Sequence, residues 1–353
     1  MTILTGRCPS RSTGMYAPVG FTIATLVLLL AAPGASEGGR NQFCSNTARA
    51  QYVACLNEVK DDRLTLKAIC INTEDDEDRA ECLDEFIEAR ASGNEECREQ
   101  RDARRDLCDL IGEDRYDPDF DPANFDTDFV VPPNLNAYLP IKVGNFWAYE
   151  AEDETNTTEI LPETKLIEGV TCVVQRDLVK VDGIDLEDTD DWFAQRKDGT
   201  VEYCGEEVKD FETFAGDAPM DPELVSIDGS FKVGRDGDRS GTLFPATPVV
   251  DMTYRQEWSP GNAEDAATVI STTYHYGDEP ALDASVPQAL ADHLCDHDCV
   301  VTFDFSPLEP DARERKFYAP GIGLFLEVDL DGGDINQLVD CNVDPKCDTL
   351  PAP

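Results

Sequence analysis

Among the residues that could do chemistry, the cysteines stand out by their number and their spacing. The sequence holds 13 cysteines, and all but Cys8 lie beyond residue 40. An even set of twelve favours disulfides in an exported chain, and the N-terminus described below is typical of one. The first six are spaced palindromically, at intervals of 11, 15, 12, 15 and 11 residues: Cys44, Cys55, Cys70, Cys82, Cys97 and Cys108.

This spacing decides between two helical arrangements. Three short helices would place three thiols at each end of a bundle, an odd number that cannot all pair. Two long helices, about 44–71 and 74–111, turn at Asn72-Thr73 and keep their cysteines on one side, since steps of 11 and 15 residues advance only about 20° and 60° beyond whole turns. Folded antiparallel, the helices predict three rungs: Cys44 with Cys108, Cys55 with Cys97, and Cys70 with Cys82.

Other residues of the helical segment have predicted places in this hairpin. Asn72 or Thr73 is expected to cap the second helix, with acidic residues following at the positive end of its dipole. Gly93 is expected to mark a weak point or kink, because glycine costs about 1 kcal/mol inside a helix. The predicted seam between the helices contains Tyr52, Val59, Leu66, Phe86 and Leu107.

The best candidate for a metal site is the segment 292–299, Asp-His-Leu-Cys-Asp-His-Asp-Cys. Imidazole and thiolate groups bind zinc or copper, and alternate residues of a strand share one face: His293, Cys295, His297 and Cys299. A disulfide between the two cysteines would remove both thiolates, and an exposed loop with a small disulfide is the favoured interpretation. A zinc cluster of the first six cysteines is disfavoured, because metal ligands usually come in close pairs.

Carboxylates offer a second kind of metal site. Closely spaced hard oxygen ligands suit Ca²⁺, and two segments have them. One is 329–334, Asp-Leu-Asp-Gly-Gly-Asp, and the other is the string Asp117, Asp119, Asp121, Asp126 and Asp128. The first lacks the ligand order and the bidentate Glu of an EF-hand. We therefore favour a turn at 329–334 and a linker at the string of aspartates. No cofactor is assigned, and Ca²⁺ is kept as the one alternative.

Catalytic residues are not assigned from the sequence. Past the N-terminal segment the histidines are His275, His293 and His297, and there is no Gly-x-Ser-x-Gly motif of an activated serine. The chain has 73 Asp and Glu residues, so a chosen carboxylate pair carries almost no information. An enzymatic role is possible but disfavoured.

The N-terminus and the net charge point to an exported protein. Residues 1–36 have the order of a signal peptide: Arg7 and Arg11, an apolar run over 21–32, then small residues. The run is shorter than the roughly 20 residues of a membrane-spanning helix. A net charge of −44 repels nucleic acid and anionic membranes. We expect a periplasmic or extracellular location, without a membrane span or a nucleic-acid partner.

Composition divides the rest of the chain and predicts an α+β fold. A disulfide-stapled antiparallel helical hairpin at 40–112 precedes an Asp/Pro-rich linker at 113–134, a mainly antiparallel β domain at 135–335 and a tail with a small cysteine loop at 336–353. Asp198-Gly199 predicts a two-residue hairpin turn that puts Trp192, Ala194, Val201 and Tyr203 on one face. Accessory disulfides are expected by proximity for Cys295 with Cys299 and Cys341 with Cys347, and by elimination for Cys172 with Cys204.

Several segments together resemble a family of exported bacterial proteins of unknown function, with a six-cysteine helical segment before a β-rich domain. They are 138–145 (Tyr-Leu-Pro-Ile-Lys-Val-Gly-Asn), 187–195 (Glu-Asp-Thr-Asp-Asp-Trp-Phe-Ala-Gln), 197–203 (Lys-Asp-Gly-Thr-Val-Glu-Tyr), 205–206 (Gly-Glu), 254–258 (Tyr-Arg-Gln-Glu-Trp), 263–265 (Ala-Glu-Asp), 306–310 (Ser-Pro-Leu-Glu-Pro) and 316–327 (Lys-Phe-Tyr-Ala-Pro-Gly-Ile-Gly-Leu-Phe-Leu-Glu). Cys204, Cys295, Cys341 and Cys347 depart from that pattern. The resemblance implies location and architecture and supplies no catalytic residues.

The leading functional hypothesis is therefore a non-enzymatic exported protein with a binding or structural role. Its partner is expected to be a protein, or an apolar small molecule held on the concave face of a curved sheet. The alternatives are a hydrolase that uses carboxylates and a Ca²⁺-dependent structural protein.

Overall fold

The computed structural model describes residues 42–152 and 154–352, and the predicted signal peptide lies outside these ranges. It shows an α+β fold, as predicted: two disulfide-linked helices followed by a large antiparallel sheet. Among the helices of the described ranges, none has the length and apolar character needed to cross a membrane.

The helical hairpin consists of α1, Phe43–Asn72, and α2, Asp76–Ile111. The predicted ladder is confirmed. Its rungs join Cys44 to Cys108, Cys55 to Cys97, and Cys70 to Cys82, with Cα atoms 5.7, 5.7 and 5.4 Å apart. Equal steps in two antiparallel helices bring the cysteines level, so the spacing alone determines the pairing.

The turn between the helices differs from the prediction. Asp75, not Asn72 or Thr73, caps α2: its Oδ1 accepts hydrogen bonds from the backbone N–H groups of Glu77 at 2.8 Å and Asp78 at 3.2 Å. Thr73 instead belongs to the end of α1, where its hydroxyl donates to the carbonyl of Ile69. A carboxylate at this position satisfies two free N–H groups and also faces the positive end of the helix dipole.

Gly93 serves close packing between the helices. It lies within α2, which continues as a helix on both sides of it. A Cβ atom added to Gly93 would lie 2.8 Å from Cγ2 and 2.9 Å from Cγ1 of Val59. The missing side chain thus lets Val59 of α1 approach the backbone of α2.

Fifteen strands form the sheet within the described ranges, and all their pairings are antiparallel. A short helix, α3, Gln288–Leu294, precedes the twelfth strand. The strands, β1 to β15 in chain order, are Phe146–Glu150, Glu154–Ile167, Val170–Val181, Ile184–Gln195, Val201–Glu207, Asp210–Glu212, Glu223–Ser226, Arg239–Phe244, Thr253–Arg255, Glu257–Trp258, Ala266–Tyr274, Cys299–Phe305, Arg313–Ala319, Gly323–Asp329 and Ile335–Cys341.

The sheet closes on itself through one short segment of chain. The strand order is β10-β8-β5-β4-β3-β2-β1-β15-β14-β13-β12-β11-β9, so β10 and β9 are its two ends. These two strands are consecutive in the sequence and are separated only by Gln256. Residues 253–258 therefore pair with β11 on one side and with β8 on the other, and we call them the closing segment.

The hairpin of β4 and β5 has a different register from the predicted one. Phe193 pairs with Tyr203 and Gln195 with Val201, which leaves a longer loop than Asp198-Gly199 alone. Gly199 adopts a φ of 98°, a conformation typical of three-residue hairpin loops. The one-residue change moves Trp192 and Ala194 to the opposite face from Tyr203, and both faces are buried.

The inside of the closed sheet is charged as well as apolar. Side chains on strands that are not neighbours influence one another there. Besides burial, the charge of Asp191 contributes to the raised pKa of Glu257. The charges of Glu327 and Asp177 contribute in the same way to the raised pKa of Tyr149. The concave face therefore carries charged groups beside its apolar side chains. Its cation Lys316 lies 3.1 Å from Glu327 and 3.3 Å from Glu314.

The segment predicted as a linker packs against the β domain. Phe125 and Phe129 are buried, and Phe125 forms a β-bridge with Arg196. The chain pairs Cys172 with Cys204, Cys295 with Cys299 and Cys341 with Cys347, which are the accessory disulfides expected. The last strand continues to Cys341, beyond the predicted domain end at residue 335.

The base of the helical hairpin docks on the sheet through buried polar contacts. Arg104 of α2 forms a two-pronged ion pair with Glu264, with N–O distances of 2.7 and 3.0 Å, and both side chains are at least 95% buried. Gln100 donates a hydrogen bond to the carbonyl of Leu308. These contacts place the first turns of α1 and the last turns of α2 beside the closing segment.

Candidate functional site

A cleft of about 600 Å³ separates the hairpin base from the closing segment. The start of α1 and the end of α2 form one wall, and β8 with the closing segment forms the other. Three arginines line it, in a chain with a large excess of acids: Arg115, Arg239 and Arg255. We call it the arginine cleft. The cleft is also lined by Phe43, Cys44, Asp114, Tyr116, Asp117 and Trp258.

Arg255 is the most unusual side chain of this cleft. It is 7% exposed, and its Nε and Nη1 atoms have no hydrogen-bond partner. Its Nη2 lies 3.8 Å from the disulfide sulfur of Cys44, a weak acceptor. Burial lowers the pKa of the Arg255 guanidinium, while the nearby Glu264 carboxylate acts in the opposite direction. A guanidinium has five N–H donors, and leaving them unpaired away from water is costly.

The buried charges beside the cleft do not balance. Arg104 and Arg255 are both buried and influence each other, and the carboxylate near both is Glu264. Both oxygens of Glu264 already bind Arg104, and one also accepts the N–H of Gly261 at 2.6 Å. Arg104 Nη1 has no partner either. One buried positive charge therefore remains without a bound counter-charge.

Aromatic rings form the apolar part of the cleft. The ring centroids of Tyr116 and Trp258 lie 5.9 Å apart, and Arg255 lies 5.6 Å from the centroid of Tyr116. Tyr116 is held in place because its hydroxyl donates a 2.9 Å hydrogen bond to the carbonyl of Ser240. Burial raises the pKa of Tyr116, so the phenol stays neutral beside the guanidinium.

The outer part of the cleft is mixed in charge. Arg115 is exposed and lies over the ring of Phe43, 4.4 Å from its centroid. Arg239 Nε lies 3.4 Å from Asp117 Oδ1, and Asp114 is exposed. Among the residues that line the cleft, three guanidinium groups thus stand against two carboxylates. Guanidinium donors beside aromatic faces suit an anion attached to a flat apolar body.

The predicted metal segment covers the end of α3, a short loop and the first residue of β12. Cys295 and Cys299 are oxidised, and His293 faces the carbonyl of Lys346 at 3.0 Å. The ring of His297 lies 4.3 Å from that of His275, and its Nδ1 is 3.0 Å from Asp278. The two histidines of the segment thus point to different partners. In the described ranges, no cluster of three or more His, Cys, Asp or Glu side chains is arranged to hold a metal ion.

The two acidic segments support turns. Asp329 accepts hydrogen bonds from the N–H groups of Asp331 and Gly332, and Asp331 pairs with Arg313. In the other segment, Asp119 and Asp121 accept N–H groups two residues further along, and Asp128 accepts those of Val130 and Val131. These are short-range side-chain to backbone bonds, typical of Asx turns.

The arginine cleft was not foreseen from the sequence. Its walls come from residues 43–47, 111–118 and 239–258, which only the closed sheet and the docked hairpin bring together. Arg255 and Trp258 do lie close together in the sequence, within the segment 254–258. An arginine between a tyrosine and a tryptophan was a usable signal, but nothing in the sequence marks that arginine as buried.

The chain was also compared with known proteins. No protein-family model, curated protein or solved structure matches it.

Proposed function

We propose that this is an exported, non-enzymatic binding protein that holds a small anionic molecule in the arginine cleft. The anion is a phosphate, sulfate or carboxylate group attached to a flat apolar body. The six disulfides fit an oxidising compartment outside the cytoplasm, periplasmic or extracellular, which supports export.

The unpartnered guanidinium of Arg255 is the observation that carries this proposal. An anion bound in the cleft would supply a counter-charge to Arg255, whose Nε and Nη1 donors have no partner in the protein, and would balance the excess positive charge beside Arg104. Planar guanidinium groups recognise carboxylate and phosphate by paired hydrogen bonds. The rings of Tyr116 and Trp258 stand next to this point and offer apolar faces to the rest of the ligand.

Binding is favoured over catalysis by the kind of groups in the cleft. Guanidinium groups remain charged at neutral pH, and the Tyr116 phenol is neutral with a raised pKa. Such groups hold and orient an anion without exchanging protons with it. The mixed lining also favours an anionic ligand over an apolar small molecule, which is one of the two partner classes expected from the sequence.

Isothermal titration calorimetry with three probes tests this function. Phenyl phosphate carries both recognised features, inorganic phosphate carries the charge alone, and phenol carries the ring alone. At constant ionic strength, we expect phenyl phosphate to bind more tightly than either of the others. Arg255→Met should weaken its binding about tenfold or more, since charged hydrogen bonds contribute about 1.5–3 kcal/mol.

Two variants make the test specific. Arg105→Met removes an exposed arginine of α2 and should leave binding unchanged. Arg255→Lys keeps the charge but loses the planar fork, and should bind phenyl phosphate with intermediate strength. Equal binding to the wild type and to Arg255→Met, or no binding of any probe, would refute the proposal.

A further inference from the structure

The hydroxyl of Tyr203 lies between two carboxyl groups inside the closed sheet. It contacts Oδ1 of Asp191 on β4 and lies 3.0 Å from Oε2 of Glu206 on its own strand, β5. Tyr203 and Asp191 are 6% and 7% exposed, and Glu206 is half-buried. Water therefore has little access to the centre of this group, which we call the tyrosine triad.

The two contacts of Tyr203 are best satisfied by more than one proton. A phenol has a single O–H and can donate a full hydrogen bond to only one carboxylate. The other carboxyl group forms a full hydrogen bond with the phenol oxygen when it carries a proton itself, and otherwise it shares the single O–H in a weaker three-centre bond. The geometry is satisfied when Tyr203 donates to one carboxylate and the other, as a neutral acid, donates to Tyr203. The geometry of the triad thus favours one carboxyl proton.

The groups that face the triad add negative charge. Glu187 and Asp190 lie on the same strand as Asp191, and Asp177 faces it from β3. Glu257 of the closing segment and Asp265 approach Glu206. The cation Lys316 acts on Glu257 and Asp265, but it is itself paired with Glu314 and Glu327 and also interacts with Asp304.

The pKa shifts agree with this arrangement. Burial raises the pKa of Asp191 to about 7, with Glu187 and Asp190 contributing, although the hydrogen bond from Tyr203 opposes the rise. Burial and the charge of Asp191 raise the pKa of Glu206 well above its ordinary value. Burial and Asp265 do the same for Glu257.

We propose that the tyrosine triad is a pH-sensitive element: the native protein holds a shared proton there and is stabilised by it. A carboxyl group whose pKa is raised in the native state binds its proton more tightly there than in the unfolded chain. Its contribution is complete below the unfolded pKa of about 4 and is lost as pH rises through the native pKa. Mildly acidic surroundings therefore hold β4 and β5 together more firmly than alkaline ones.

Urea unfolding with the disulfides intact, measured from about pH 6 to about pH 8.5, tests the proposal. One group with a native pKa of about 7 increases the unfolding equilibrium constant about tenfold over this range. We expect at least this increase in the wild type relative to Asp191→Asn/Glu206→Gln, whose carboxamides do not titrate. The control, Glu95→Gln/Asp106→Asn, makes the same charge change on the exposed side of α2 and should follow the wild type.

A second measurement decides the question if the double variant does not fold. The infrared spectrum of the wild type should contain the carbonyl band of a protonated carboxylic acid at neutral pH, where ordinary carboxyl groups are ionised. The band should weaken as pH rises. The proposal is wrong if this band is missing at neutral pH, or if wild type and the folded double variant show the same pH dependence.

Discussion

At the scale of single residues, Arg255 is a side chain that should lower stability and on which the proposed binding function depends. Its guanidinium is buried, its Nε and Nη1 donors are free, and the nearest carboxylate serves Arg104. A fold without a ligand gains nothing from such a group, because a buried charge without a counter-charge is destabilising. The proposed binding site would account for its presence, since an anionic ligand would supply the missing counter-charge.

We expect Arg255→Met to stabilise the ligand-free protein. Removing the unsatisfied guanidinium while keeping an apolar side chain of similar length should increase the free energy of unfolding by about 1–3 kcal/mol. Urea unfolding in a buffer without phosphate or sulfate measures this. A loss of stability would mean that Arg255 has a structural partner and would argue against the site.

Substitution of Arg104, which lies near Arg255, should have the opposite effect on the free energy of unfolding. Arg104→Met leaves the buried carboxylate of Glu264 without its ion pair and should lower the free energy of unfolding by about 3–5 kcal/mol. Arg105→Met, on the exposed side of the same helix, should change it by less than about 0.5 kcal/mol. Similar values for the two variants would contradict the proposed role of Arg104 in docking the hairpin.

Residue by residue, the sequence predicted chemistry that depends on spacing and missed chemistry that depends on burial. The disulfide pairing follows from the cysteine spacing, because each cysteine can bond only to a cysteine at the same level of the opposite helix. Nothing comparable marks Arg255 or Asp191, since an arginine or a carboxylate has the same sequence signature whether it is exposed or buried. Their roles appear only when distant strands enclose them.

At the scale of elements, the helical hairpin was predictable and its fine packing was not. Helical periodicity is a local property, so its two helices and their alignment follow from the sequence. Gly93 was expected to weaken α2, but it provides the point of closest approach to Val59. The function of that glycine depends on the opposite helix, which no local rule describes.

Gly93→Ala should therefore destabilise the hairpin. On helix propensity alone the change would be stabilising by about 1 kcal/mol, but the new Cβ would meet Val59 at 2.8 Å. Overpacking of this kind costs about 1–3 kcal/mol. Thermal unfolding should show a loss in Gly93→Ala and recovery in Gly93→Ala/Val59→Ala relative to Val59→Ala alone. A gain in the single variant would contradict the close approach.

The β4–β5 hairpin shows the limit of local rules for strands. The turn was placed correctly at Asp198-Gly199, but the loop is one residue longer than predicted. The side chains of β4 therefore lie on the opposite face, relative to those of β5, from the predicted one. Alternation could not reveal the error, because Trp192 and Phe193 are both buried, on opposite sides of the sheet. The apolar pattern specifies register strongly where one face is buried and the other is exposed to solvent.

At the scale of the whole molecule, closure of the sheet creates both candidate sites. The closing segment carries Arg255 and Trp258 towards the hairpin and Glu257 towards the inside. Its two halves pair with different strands around Gln256, and this long-range choice has no signature in the local sequence. The antiparallel class of the sheet was predictable from the succession of strands, whereas its closure was not.

The net charge of −44 should make stability depend on salt. Repulsion among exposed carboxylates opposes the compact state, and salt screens it over a distance of about 8–10 Å near physiological ionic strength. We expect the melting temperature to rise with NaCl concentration. CaCl₂ at matched ionic strength should give the same rise, and a larger effect would support the Ca²⁺-dependent structural alternative.

The most direct test of the central claim is to identify the molecule that the arginine cleft holds in the native host. Wild type and Arg255→Met would be purified from that host in buffers without phosphate or sulfate, and the small molecules released from each would be compared by mass spectrometry. The account predicts an anion with an apolar body in the wild type and its loss from Arg255→Met. The same compounds in both samples, or no anionic compound in the wild type, would contradict it.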